Sequence, residues 1–118
     1  MQVSALVVFV FGHAIAFWAM VANKFFSTFV RIQTERGHHV VTDGPYAWVR
    51  HPGYTGTILS AIALPISLGA LWALIPAFIG ACLFVVRTLR EDRTLTDELN
   101  GYREYTSRVR WRLVPGLW

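Results

Sequence analysis

Charge is what this chain lacks over most of its length. Residues 1–23 contain no Lys, Arg, Asp or Glu, and residues 51–86 contain none either; the eleven basic and seven acidic residues all fall within 24–50 and 87–112. Charged residues make up 15% of the chain, against roughly 25% in ordinary globular proteins. A chain of 118 residues has no water-soluble core large enough to hide two apolar stretches of that length, so an integral membrane protein is indicated and a soluble domain is excluded. Cysteine is nearly absent. The single Cys82 lies in an apolar run, which rules out an intramolecular disulfide or a thiol redox motif and suits a small buried apolar residue. No phosphate-cradling glycine loop, dinucleotide fingerprint or Ser-His-Asp order is present, nor any zinc-ligand spacing. His38 and His39 are adjacent, so in an extended segment they point to different sides, and no carboxylate or thiol stands at ligand spacing; no metal is expected. The net charge of +4 does not indicate nucleic acid, because the basic residues flank apolar segments and form no compact motif.

What is present divides into spans and polar joints. Gln2 to about Ala22 has the length of a transmembrane helix, without the basic leading region or cleavage site of a signal peptide. Phe17, Trp18, Lys24, Phe25 and Phe26 mark its interfacial exit, and His13 in mid-span is expected to bond to a neighbouring helix. Residues 24–43 form a polar connector, in which 37–42 are expected to be extended before an Asp43-Gly44-Pro45 turn. Pro45 suits the first turn of a short helix, and Pro52 ends that helix and begins another. The apolar run from Gly53 to Val86 predicts a tight hairpin of roughly 17 and 20 residues. Pro65, Ser67, Gly69 and Ala70 mark its turn, and Pro76 is expected to kink the second helix. Beyond Arg87, Leu95, Leu99, Tyr102, Thr106, Val109 and Leu113 recur at three- and four-residue spacing, with Arg93, Arg103, Arg108 and Arg110 mainly off that stripe. They predict an amphipathic helix on the membrane surface. The expected fold is therefore all-α and integral to the membrane, a single domain over 1–118 with three transmembrane helices and a C-terminal interfacial helix.

The connector 24–50 has four basic and two acidic residues and the tail 87–112 seven and five, while the N-terminal end and the 65–70 turn have no basic residue. Lys and Arg excess places connector and tail together on the cytoplasmic side. That brings Arg50, His51 and Tyr54 near Arg87, Arg90, Glu91 and Asp92 at the mouth of the hairpin. Arg87 and Glu91 are four apart on one helix side and are expected to pair. Residue types alone leave two readings: an interfacial salt bridge without function, or a pocket of cationic, anionic and aromatic walls suited to a zwitterionic ligand. Transfer of an already activated group needs little from side chains beyond positioning and exclusion of water.

Three ordered stretches resemble the isoprenylcysteine carboxyl methyltransferase and phospholipid methyltransferase superfamily. They are Gly44-Pro45-Tyr46 with Val49-Arg50-His51-Pro52-Gly53-Tyr54-Thr55-Gly56; Arg87 with Glu91-Asp92 and Leu95; and Tyr102-Arg103-Glu104-Tyr105 with Arg108-Val109 and Leu113-Val114-Pro115. Phe25-Phe26-Ser27 ahead of Val30-Arg31 is similar to its bacterial members. The resemblance implies S-adenosylmethionine as methyl donor, bound at the cytosolic side by Arg50, His51, Pro52, Tyr54 and Gly56 together with Glu91 and Asp92. It implies catalytic roles for Arg87 and Glu91, and Tyr102, Tyr105 and Arg108 closing the pocket. The acceptor of the O- or N-methyl transfer would be lipophilic: a membrane lipid, a prenylated cysteine or another hydrophobic molecule. Asp92 stands where the family often has a second glutamate. Relatives usually have further N-terminal helices, so three spans imply a short form, a piece of a longer protein, or a chain completed by homo-oligomerisation. A membrane sterol reductase, dependent on NADPH, has a similar Arg-His-Pro-x-Tyr loop, but tends to carry Asn and an acidic residue where this chain has Gly53 and Thr57. A non-catalytic membrane subunit is the third reading.

Overall fold

The computed structural model describes residues 1–27 and 31–118, so the Val30 of the stretch noted above lies outside the described residues. Four α-helices follow one another: α1 Gln2–Ala22, α2 Pro52–Ser67, α3 Leu74–Glu98 and α4 Tyr102–Arg108, with 3-10 turns at Thr34–Arg36, Gly44–Ala47 and Leu71–Ala73. Among the described residues there is no strand, and the 38–42 stretch is irregular.

α1 occupies the span predicted for it and packs antiparallel against α2, because the two helices present their smallest residues to each other. A Cβ on Gly12 would stand 2.7 Å from the Gly56 carbonyl oxygen, and one on Gly56 would meet the Gly12 carbonyl and stand 2.7 Å from the Ala16 nitrogen. Close backbone approach of this kind is how helices associate where lipid removes the hydrophobic driving force. Ser60 Oγ donates to the Phe9 carbonyl at 3.1 Å across the same seam. His13, expected to reach a neighbouring helix, instead sets its Nδ1 3.2 Å from the Phe9 carbonyl of its own helix. The large side chains turn outward: Val7, Val10, Phe11 and Phe17 on α1, and Phe78, Ile79 and Leu83 on α3, are exposed, as suits contact with lipid. Two segments, Gln2–Ala22 and Leu71–Glu98, are long and apolar enough to cross a membrane.

α2 and α3 form the predicted antiparallel hairpin, with the prolines used differently. Pro65 lies inside α2, and the turn follows at Leu68–Ala70, where Gly69 takes a φ of 71° and Ala70 N–H donates to the Pro65 carbonyl at 2.8 Å. Pro76 falls in the first turn of α3, where an N–H would have no helical partner, so it begins the helix rather than kinking it. A Cβ on Gly69 would lie 2.9 Å from Gln2 Nε2, so this turn and the start of α1 share one end that carries no charged side chain.

The C-terminal prediction needs correction. α3 runs unbroken past Arg87 to Glu98; the chain breaks at Asn100 and Gly101, the latter with φ of 86°, and α4 is only 7 residues long. The apolar stripe is therefore divided, and Leu99, Tyr102, Tyr105 and Leu113 are buried in the protein. With Ala19 and Tyr46, three of them build the core at the polar end: Leu99, Tyr102 and Tyr105. The tail then returns to the start of α2, where Arg50 and His51 N–H groups donate to the Trp111 and Arg112 carbonyls, each at 2.9 Å. Thr55 Oγ1 donates to the Leu113 carbonyl at 2.7 Å.

Candidate functional site

Proline dictates the local geometry of the loop. Pro45 starts the Gly44–Ala47 turn, Pro52 starts α2, and Arg50 and His51 are held between them in a bend pinned by the tail. Tyr105 locks the loop from below: its hydroxyl donates to the Tyr46 carbonyl at 2.5 Å and lies 3.4 Å from that of Val49. Burial pushes the Tyr46 phenol up to about 12 and raises that of Tyr105, so both remain neutral donors.

The two neighbouring acids on α3 have different environments. Asp92 is buried and collects four partners: Arg50 Nη2 at 2.8 Å, Arg112 Nε at 3.2 Å, the Tyr102 hydroxyl at 2.9 Å and His51 Nε2 at 3.1 Å. A carboxylate only accepts, so in this geometry His51 donates from Nε2. Burial, then the Asp92 charge, raises the Tyr102 phenol far above its ordinary value, which keeps its proton on the oxygen for Asp92. Glu91 faces the other way. It accepts a short hydrogen bond from the Tyr54 hydroxyl, which itself accepts one from Arg87 Nε at 2.8 Å. The Arg87 guanidinium sits 5.5 Å from the Tyr54 ring centre and donates to the Ser27 carbonyl at 3.3 Å. The expected Arg87–Glu91 link thus runs through a tyrosine of the neighbouring helix. Tyr54 in turn stacks on His51, with ring centres 5.9 Å apart.

Glu91, Tyr54 and His51 border a cavity of about 60 Å³ roofed by the connector. Six predicted site residues line it: Arg50, His51, Tyr54, Glu91, Tyr102 and Tyr105. Five lie elsewhere, each for a physical reason. Pro52 is consumed in the buried first turn of α2, and Gly56 is the contact point with α1, away from the cavity. Asp92 is enclosed behind the loop by its four donors. Arg87 acts at one remove through Tyr54, and Arg108 is exposed at the end of α4. The sequence reading missed the roof: Phe25, Phe26, His38, Val40 and Val41 all face the cavity. His38 and His39 both pack on Phe25, stacked at 4.3 Å and edge-on at 4.9 Å, rather than diverging to opposite sides. Burial lowers the His38 imidazole below its ordinary value, and its Nδ1 accepts from Gln33 N–H at 3.0 Å, so this ring serves as a neutral acceptor in the fold. The buried Gln33, which donates to the Phe25 carbonyl at 2.7 Å, gave no signal in the sequence. Among the described residues no cluster could hold a metal ion.

The cavity has the chemistry of a zwitterion site. Glu91 is an anionic wall, tyrosines and phenylalanines are apolar walls, and Arg50 Nε is buried without a partner among the described residues. An unpaired buried N–H is costly unless a ligand or water accepts from it. An all-helical membrane protein with a polar cavity at one end of its hairpin, bounded by a Pro-x-Tyr helix start and a glutamate of the facing helix, is the class that fold and site define. Residues 5–97 match the model of the Isoprenylcysteine carboxyl methyltransferase (ICMT) family. The chain belongs to that family. It is similar to a protein-S-isoprenylcysteine O-methyltransferase of Schizosaccharomyces pombe, 32% identical over 118 residues, covering 92% of this chain and 47% of that protein. A probable protein-S-isoprenylcysteine O-methyltransferase of Oryza sativa is 36% identical over 64 residues, 53% of this chain and 34% of the relative. A delta(14)-sterol reductase of Mus musculus is 30% identical over 87 residues, 71% of this chain and 21% of the relative. The chain spans less than half the length of these curated relatives.

Proposed function

We propose that residues 1–118 act as one membrane methyltransferase unit that moves a methyl group from S-adenosylmethionine to a lipophilic acceptor, of the prenylated-cysteine type or a membrane lipid. The observation that carries this reading is a carboxylate, Glu91, held by Tyr54 on the wall of a cavity that Arg50, His51 and three tyrosines also line. Glu91 is suited to the cationic end of the donor, while His51, Tyr54, Tyr102 and Tyr105 supply flat walls. The donor brings an already activated methyl group. Transfer forms a bond from the acceptor oxygen or nitrogen to the methyl carbon and breaks the carbon–sulfur bond, whose electron pair stays on sulfur. A carboxylate acceptor releases no proton; an amine releases one. The chain's own part is to hold the reactants and exclude water.

The cavity of about 60 Å³ is far smaller than the roughly 300–1,000 Å³ of ordinary ligand sites, so donor binding requires the 31–43 connector to move outward. In this reading α1, α2 and α3 all cross the bilayer, with the Gln2 and Gly69 end outside and the connector and tail cytoplasmic. Support comes from the end without charged side chains that α1 and the 68–70 turn share, and from the Lys and Arg excess at the other. Labelling of Ser27→Cys and Thr106→Cys in a Cys82→Ala background tests the orientation; reaction from the outer side alone would refute it.

The sterol reductase relative keeps hydride transfer as the second reading. Calorimetry on the purified chain separates the two: S-adenosylmethionine or its demethylated product should bind and NADPH should not. NADPH binding without donor binding would put the reductase reading first. Labelled donor supplied to membranes should leave its methyl on a lipid-extractable or prenylated product; its absence from both would refute methyl transfer. The same purified chain, analysed for mass in detergent, shows whether it works as a monomer or a homo-oligomer.

A further inference from the structure

The last turns of α3 present two opposite faces. At about 100° per residue, Thr88, Glu91 and Leu95 lie on the side of the core and cavity, and Val86, Leu89, Arg90, Arg93 and Asp97 on the other. That outer side forms a second, open groove of about 820 Å³ with Arg112 of the returning tail, bordered also by Thr94, Thr96 and Asp92. Its lower wall is apolar, with Val86 and Leu89 each 46% exposed. Its upper wall is cationic. Arg90 and Arg93 are exposed, and among the described residues neither has a carboxylate partner. The two acids there do not cancel them: Asp97 pairs with Arg103 at 3.6 Å, and Asp92 is already shared among Arg50, His51 and Arg112.

Depth identifies the ligand class. From Leu71 through the 3-10 turn and along α3 to Arg90 the path is about 30 Å, the thickness of a bilayer's hydrocarbon core. Val86 and Leu89 therefore lie at the end of the acyl region, and Arg90, Arg93 and Arg112 at the headgroups. A cationic pocket with an apolar wall at that level is complementary to a phospholipid of the anionic leaflet. We propose that this groove binds one anionic phospholipid, its phosphate held by Arg90, Arg93 and Arg112 and an acyl chain laid along Leu89 and Val86. The assignment rests on the membrane orientation given above. Arg112 gives the site a connection to the cavity, because its Nε donates to Asp92 at 3.2 Å while its guanidinium lies 5.0 Å from the Trp118 ring centre. A phosphate on its outer nitrogens fixes the side chain that completes the Asp92 cluster behind Arg50 and His51.

The test uses the full chain incorporated into vesicles of phosphatidylcholine alone or phosphatidylcholine with phosphatidylglycerol, followed by detergent release and native mass spectrometry. One phosphatidylglycerol should remain bound to the wild type, and Arg90→Gln/Arg93→Gln should weaken retention about tenfold or more, at roughly 1.4 kcal/mol per decade. Lys24→Gln/Arg110→Gln removes the same charge elsewhere on the polar face and should retain the lipid. Equal loss in both double variants, or equal retention of phosphatidylcholine, would overturn the site in favour of diffuse charge attraction. Unchanged helical circular dichroism in both variants excludes misfolding as the cause. Failure of the wild type to float with either vesicle would overturn the membrane reading, and the lipid site with it; flotation without lipid preference would overturn the lipid site alone.

Discussion

The α1–α2 seam and the Asp92 cluster hold the same molecule together by opposite means. Among the described residues the seam has no charge and one side-chain hydrogen bond, Ser60 to Phe9, and its strength lies in backbones brought together by Gly12, Ala16 and Gly56. The cluster depends on one carboxylate satisfying Arg50, His51, Tyr102 and Arg112. Within lipid, dispersion and close fit are what helices have to offer one another; at the polar end, buried ions are held only if every partner is present. The comparison also separates two adjacent acids. Asp92 belongs to the scaffold and Glu91 to the cavity, although sequence position gives them equal standing.

Breaking the cluster should cost most. Asp92→Ala leaves Arg50, Arg112 and Tyr102 without their acceptor, and removal of one partner from a buried ionic cluster costs about 3–5 kcal/mol. The expected outcome is a large fall in melting temperature in detergent; a small change would mean that water replaces Asp92 freely. Gly56→Ala strikes the seam, since the added methyl meets the Gly12 carbonyl and the backbone of α1. Overpacking of this kind costs about 1–3 kcal/mol. The same substitution at Gly80, where nothing lies within 4 Å, should be neutral, so equal effects would contradict the seam.

Glu91→Gln sharpens the contrast between the acids. A charged hydrogen bond in a partly dehydrated site contributes on the order of 1.5–3 kcal/mol, so donor affinity should fall about tenfold or more while the melting temperature stays near wild type. Unchanged affinity beside a large loss of stability would make Glu91 a structural partner of Tyr54 and Arg87. Arg108→Gln should do least. The side chain is exposed at the end of α4 and has no ion pair among the described residues, and a surface charge contributes about 0–1 kcal/mol. A tenfold loss of donor affinity would show that Arg108 reaches the cavity after all.

Sequence by itself determined the all-helical membrane character, the first span, the two proline-started turns and the meeting of the 44–56 loop with Arg87–Asp92. Charge segregation and proline geometry act locally, so they are legible without neighbours. Arg50, His51, Tyr54 and Glu91 meet at one cavity, as the antiparallel hairpin expected from span length brings them together. Tertiary structure alone decided the rest. Leu99 and Tyr102 have the spacing of a membrane-surface helix, but Gly101 breaks it and Ala19 and Tyr46 offer them a protein core. Gly56 sits in a motif shared with cavity residues, yet its lack of a side chain serves α1, which lies far away in the chain. Phe25, Gln33 and His38 became a roof only because the connector folds back over the loop. Each of these outcomes depends on which distant surface a residue meets, and periodicity or motif spacing carries no information about that.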